Sequence, residues 1–334
     1  MTSRPTIAIV SPPIQISGGM KQKLLLAHAL ARAGYNVDVV TPDPTRLRDF
    51  DFSGAHVSPD QALRRAPYDV SVVTWFETFE LASRLSPNVV HYCQGYEGDL
   101  VHLAPRLPEI RAVYERALPT LVVSPHLGLR LKQDFGRPCQ VMPPLLDRNF
   151  RPKFGRMRPH REPTILVHGI FESAVKRIAP ALQAVELLRR RRSVRLCRIS
   201  ALRRSEGEQA PRGHDRFLVE ISPRQVAKVT AAVDLTLFTS DAGEGFGLPV
   251  LESLAAGIPV VAARIPSLAV FEHMDVISTV DSVDPERLEA AIVSMLDPET
   301  WRNYRRRGLA FSKIWRDAQD RRAAFAFRSL VEAG

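Results

Sequence analysis

Cysteine is scarce in this chain: Cys93, Cys139 and Cys197 are the only three in 334 residues. They have neither the spacing of a metal site nor the even count of a disulfide framework. A small stapled scaffold is therefore excluded, and a reducing, cytoplasmic setting is expected. Long uninterrupted apolar runs are missing too. The most apolar stretch, Leu248 to Phe271, contains Glu252, Arg264 and three prolines, so it reads as buried helix and strand rather than a membrane span. No signal peptide is in view: Met-Thr-Ser-Arg-Pro runs straight into the strand-like Thr6-Ile-Ala-Ile-Val10. The Gly-x-Gly-x-x-Gly fingerprint is absent, which argues against a dinucleotide site. Asp43 after the second strand is then a turn residue between Pro42 and Pro44. Acid is in deficit, with 36 Asp+Glu against 46 Lys+Arg and a net charge of +10. That balance favours anionic partners: nucleotide phosphates, nucleic acid or an acidic membrane face. Neither a helix-turn-helix signal nor basic–aromatic interleaving is present, so nucleic acid is not expected. Peripheral contact with the anionic inner membrane face stays compatible with the charge.

What is there is an alternation of strands and helices, run through twice. Strands are expected at Ile7–Ser11, Val37–Thr41, Val70–Thr74, Val89–Tyr92, Leu121–Ser124 and Gln140–Met142. Each is a short Val/Ile-rich run without a polar face, as in a parallel sheet buried on both sides. Amphipathic stretches such as Met20–Ala33 and Leu103–Ala117 lie between them, and Gly34 sits where a helix C-terminal glycine belongs. From Pro143 to Pro163 prolines mix with Arg and Lys and periodicity stops. The second half restarts with strands at Ile165–His168, Val194–Ser200, Phe217–Ile221, Asp234–Phe238 and Pro259–Ala262. Helices are expected at Lys176–Arg190, Pro223–Ala231 and Leu248–Ala256, and the tail from Pro285 reads as nearly all helical. The expected class is α/β, with Rossmann-like domains over residues 1–145 and 163–312, a linker over 146–162, and a C-terminal helix over 313–334 packing on or crossing back to the first domain. Ligands of such sheets bind outside the carboxyl ends of the strands, so the site is expected in a cleft between the domains.

The most specific stretch is Asp241-Ala-Gly-Glu244-Gly245-Phe246-Gly247-Leu248-Pro-Val-Leu-Glu252-Ser-Leu-Ala-Ala-Gly257-Ile-Pro-Val-Val. Glycines after a strand permit a tight turn and close backbone approach to a ligand. Pro249 suits the first turn of a helix, where its missing N–H costs nothing. The other free N–H groups and the helix dipole there favour an anion. Two carboxylates flank this turn, and Glu252 is placed to accept a vicinal diol such as ribose.

This stretch resembles the E-x7-E region of GT-B retaining glycosyltransferases of family 4, whose usual form is Glu-Gly-Phe-Gly-x-x-x-x-Glu-Ala-x-Ala-x-Gly-x-Pro-Val-Val. It departs at Ser253, where the family has Ala. The resemblance implies a GT-B fold and a nucleotide-diphosphate sugar as co-substrate, with no other cofactor. It implies that Glu244 contacts the donor sugar and Glu252 the ribose, while Gly245, Phe246, Gly247 and Leu248 help seat sugar and phosphates. Lys176, in His168-Gly-Ile-Phe-Glu-Ser-Ala-Val-Lys176-Arg177, matches the lysine that neutralises the leaving diphosphate. The neighbouring arginine place holds Ile170, with Arg177 as the candidate substitute.

The first half fits the same family. Gly18 and Gly19, after the first strand, are similar to its Gly-Gly loop beside the donor phosphates or sugar. In His91-Tyr-Cys-Gln94-Gly-Tyr96-Glu97, the register puts Gln94 where members carry a catalytic histidine. His91, Tyr96 and Glu97 are acceptor-side candidates. Gln-x-Tyr-Glu is similar to a subset that includes rhamnosyltransferases, which implies a deoxysugar. The expected reaction is a retaining hexosyl or deoxyhexosyl transfer without a metal, on the reading that the sequence holds no Asp-x-Asp to bind a divalent cation. The acceptor would be a glycan, lipid-linked or small-molecule hydroxyl. Two alternatives stay open: a nucleotide-sugar 2-epimerase of the same fold, and a sugar-nucleotide-binding subunit without turnover.

Overall fold

The computed structural model describes residues 4–43, 47, 50, 52, 54–208 and 213–331. The chain divides into two compact units, residues 1–145 with 318–334, and residues 146–317.

Among the described residues the first unit holds one parallel seven-stranded sheet. Its strands are β1 Thr6–Val10, β2 Asn36–Val40, β3 Ala55–Val57, β4 Val70–Val73, β5 Val89–Cys93, β6 Thr120–Val122 and β7 Cys139–Val141. The spatial order is β3-β2-β1-β4-β5-β6-β7, the doubly wound arrangement in which direction reverses between β1 and β4. Helices cover both faces, so central strands carry no polar face: Ile7, Ala8, Ile9 and Val72 are fully buried. Each large aliphatic so buried contributes about 1.5–3 kcal/mol. The last turns of helix Pro298–Val331 belong to this unit. Asp320 there pairs with Arg32 at 2.8 Å, and Phe327 packs edge-on against Tyr35.

The second unit repeats the plan with β8 Thr164–His168, β9 Arg195–Ser200, β10 Arg216–Val219, β11 Leu235–Phe238, β12 Val260–Ala263 and β13 Ser278–Val280. The order is β10-β9-β8-β11-β12-β13, all parallel, with β8 and β11 in register through Leu166 and Thr236. Trp301, fully buried, donates its indole N–H to the Asp234 carbonyl at 2.7 Å and locks the last helix onto this sheet.

The expected strands recur within one or two residues. The edge strands β3 and β13 escape the hydrophobic pattern because Ala-His-Val and Ser-Thr-Val lack the apolar run of the central strands. Helix Leu103–Ala117 becomes a 3-10 run Val101–Arg106 and then helix Leu107–Tyr114, since Pro105 and Pro108 have no N–H to continue an α-helix through this stretch. The expected start at Lys176 moves to Ile178, because Arg177 is left-handed at φ 46°. Among the described residues no helix is long and apolar enough to cross a membrane.

Candidate functional site

In the second sheet β8 and β11 are neighbours, and the chain continues from them to opposite sides. That switch point is where open α/β sheets bind ligands. Two loops leave it, Gly169–Arg177 and Thr239–Gly247, and they are stitched together. Thr239 Oγ1 donates to the carbonyls of Lys176 (3.2 Å) and Arg177 (2.8 Å). Asp241 N donates to the Val175 carbonyl at 2.9 Å. Asp241 also folds its own loop, accepting from Gly243 N at Oδ1 and from Glu244 N at its carbonyl. The outcome is an ion pair 68 residues apart in sequence: Lys176 Nζ lies 2.6 Å from Glu244 Oε2.

Glu244 is mostly buried, which pushes its carboxyl pKa up. The Lys176 ammonium and hydrogen bonds from Ser240 and the Gly247 backbone outweigh burial and hold it below the usual range. The carboxylate is therefore ionised at neutral pH, with a cation in contact.

The following backbone is shaped for close approach. Gly247 has φ +86°, and a Cβ there would lie 2.6 Å from Leu268 Cδ2, so only glycine fits. It opens helix Leu248–Ala255, whose start has no side-chain cap; the uncapped amides and dipole can receive an anion. Phe246 is buried against Phe271 and Trp315, with ring centroids 5.4 and 5.6 Å away. Its ring anchors the loop, which leaves ligand contact to the backbone. Gly245 and Leu248 are half-buried, and Glu252 is 5% exposed in the helix. Ser253 has a structural reason: its hydroxyl pairs with Thr236 Oγ1 at 2.8 Å and donates to the Pro249 carbonyl at 2.7 Å.

Arg177 is exposed at the head of its helix, and Ile170 is half-buried on the Gly169 loop. A buried arginine does support that loop from below. Arg198 in β9 is fully buried and donates to the Val167 carbonyl (2.8 Å) and the Gly169 carbonyl (3.0 Å), while Glu208 binds its Nε at 2.6 Å. It positions the loop and is not open to a ligand. Its sequence signal was an arginine between Leu196-Cys197 and Ile199 in the middle of a strand.

In the first unit the switch point lies between β1 and β4. Ser17 caps helix Gly18–Arg32 by accepting from Met20 N at 3.1 Å. Gln94, just past β5, donates to the Gly19 carbonyl at 3.2 Å. Gly18, Gly19 and Gln94 are thus brought together. The other three candidates are not. His91 is fully buried in β5; burial and the Arg137 charge push its pKa down to about 3, and Nδ1 contacts Arg137 at 2.8 Å. A neutral, buried ring cannot touch an acceptor, so that expectation is corrected. Glu97 is corrected likewise: it is 5% exposed and accepts a hydrogen bond from Tyr114, and burial raises its pKa to about 7. Tyr96 packs edge-on against Tyr114 and tilted against Phe135, beneath Arg130. Sequence reading missed Lys23, buried on helix Gly18–Arg32. Its ammonium donates to Ser11 Oγ at 3.3 Å, and burial lowers its pKa to about 8 although Glu97 raises it. The chain does carry one Asp-x-Asp run, Asp49-Phe50-Asp51; both carboxylates lie outside the described residues.

Comparison with known proteins addresses the second unit directly. Residues 162–298 match the family model described as Glycosyl transferases group 1. The match lies wholly within the second unit and leaves the rest of the chain outside it. A D-inositol 3-phosphate glycosyltransferase from Segniliparus rotundus is 44% identical over 90 residues, covering 26% of this chain and 20% of that protein. The chain thus aligns with only a fifth of that relative's length. Solved structures extend the likeness in fold to the whole chain. Sucrose-phosphate synthase from Thermosynechococcus elongatus superposes with a TM-score of 0.74 at 19% identity, covering 99% of this chain and 100% of the other. Anabaena HepE in complex with UDP-glucose does so at 0.72 and 15%, covering 98% of each. The matched stretch is thus part of an α/β chain of two units with the GT-B fold.

Proposed function

We propose that the protein is a retaining glycosyltransferase that moves a hexose or deoxyhexose from a nucleotide-diphosphate sugar to a hydroxyl acceptor without a divalent metal. The observation that carries this reading is the Lys176–Glu244 pair at the switch point of the second unit, beside an uncapped helix start. Lys176 has two further N–H groups to offer a diphosphate. As the bond from the anomeric carbon to the phosphate oxygen breaks, negative charge grows on the diphosphate. Lys176, Arg177 and the amides of helix Leu248–Ala255 would stabilise it by fixed electrostatics. Glu244 would orient the sugar hydroxyls and Glu252 the ribose. The acceptor oxygen attacks on the face the phosphate leaves, and its proton passes to the departing phosphate oxygen.

The structure of HepE with UDP-glucose makes that donor the first to test. The test is thermal stabilisation by a panel of UDP-, GDP-, dTDP- and ADP-sugars, followed by donor hydrolysis and transfer with and without EDTA. One donor class is expected to stabilise the protein and be consumed equally in EDTA. Stabilisation without consumption would favour a binding subunit, and loss of activity in EDTA would end the metal-free reading.

A further inference from the structure

We infer that the segment 148–161 of the second unit is a docking surface for an anionic lipid bilayer. Its sequence, Arg148-Asn-Phe-Arg151-Pro-Lys153-Phe154-Gly-Arg156-Met157-Arg158-Pro-His160-Arg161, contains six Arg or Lys and no acid. Five of the cations, all but Arg156, are exposed. At the tip stand two large apolar side chains in water: Phe154 is 99% exposed and Met157 61%. A phenylalanine wholly in solvent amid cations gains nothing for the folded chain. In a bilayer interface, apolar tips enter the headgroup–acyl boundary while the cations meet lipid phosphates.

The tip is held, not loose. Asp234, buried at the start of β11, accepts from Arg156 Nη2, His160 N (2.7 Å) and Thr164 N (2.8 Å). The Arg156 guanidinium also lies over the Trp301 ring at 5.1 Å. From helix Pro298–Val331, Arg305 donates to the Lys153 carbonyl at 2.9 Å and Arg302 to the Met157 carbonyl at 3.4 Å. Two exposed cations of that helix, Arg302 and Arg306, extend the basic surface. The acids that bound the segment are engaged: Asp147 by Asn149, and Glu162 by Ser193 and Arg195. Nucleic acid would use the charge but not Met157, and the apolar pair at the tip favours lipid. The inference does not depend on the proposed transfer reaction.

The test is co-sedimentation of the full chain with vesicles of phosphatidylcholine alone or mixed with phosphatidylglycerol. A single-stranded oligonucleotide serves as the polyanion control, and sedimentation velocity without lipid reports self-association. The protein should bind the anionic vesicles, and less so at high salt. Lys153→Glu/Arg158→Glu should lower partitioning about tenfold or more. Phe154→Ser/Met157→Ser should lower it comparably, with melting temperature unchanged because both side chains are exposed. Three results would overturn the inference. One is failure of wild type to bind anionic vesicles in excess over phosphatidylcholine. Another is vesicle binding by the serine variant equal to wild type while both bind the oligonucleotide, which marks a polyanion site. The third is a wild-type dimer that the serine variant loses, which means a second copy covers the tip.

Discussion

The two units both carry charged and titratable side chains around their sheets and use them in opposite ways. In the second unit the switch-point carboxylate, Glu244, is held ionised by a partly exposed Lys176 at 2.6 Å. In the first unit the comparable polar residues turn inward: Glu97 to Tyr114, Lys23 to Ser11, His91 to Arg137. Burial drives their pKa values toward the neutral forms. Polar side chains thus yield a charged site where two loops fold over one another, and neutral buried groups where they are packed inside the unit. Charge that chemistry can use remains only where a partner ion and backbone amides offset desolvation.

Four substitutions would break or sharpen this contrast. Lys176→Ala should have the largest effect, lowering kcat roughly 10²–10³-fold with a much smaller change in donor affinity, as for loss of a fixed transition-state donor. An unchanged kcat in steady-state assays would remove Lys176 from leaving-group stabilisation. Glu252→Ala should weaken donor binding about 10–100-fold in calorimetry, the worth of a charged hydrogen bond. Glu97→Gln tests the inward-facing side. Its pKa is raised by burial from 4.5 to about 7, so the wild-type carboxyl costs nothing below about pH 4.5 and destabilises the fold increasingly as pH rises through 7. The variant, which still accepts from Tyr114, should gain relative stability over that window, by roughly 3 kcal/mol at most. Denaturation curves at pH 5 and pH 8 measure it; a difference constant with pH would mean Glu97 is not buried as described. Ser253→Ala should have the smallest effect, about 1 kcal/mol from the lost Thr236 bond, with donor affinity untouched. A shift in affinity would show that the departure from the family residue reaches the site.

The fold was legible because fully buried parallel strands leave short Val/Ile runs, as in β1, β4 and β12. The local structure of the second unit's candidate site was legible because its constraints lie in the backbone: Gly247 takes a φ of +86° that side chains rarely adopt, and Pro249 marks the helix start. The first unit's side was read less well. Residue type does not reveal which way a side chain points at a strand end, so His91 and Glu97 looked like site residues. Lys23 was invisible because a lysine on a helix reads as solvated until packing shows its ammonium buried on Ser11, just past β1. Arg198 was missed likewise, since its three partners come from distant segments of chain.

The central claim is that the Lys176–Glu244 loops and the helix they precede form a nucleotide-sugar site. Thermal shift of wild type and Glu252→Ala against the nucleotide-sugar panel tests it most directly. At least one donor should raise the wild-type melting temperature, and the variant should lose that rise while melting normally without ligand. No rise with any donor, or a full rise in the variant, would contradict it.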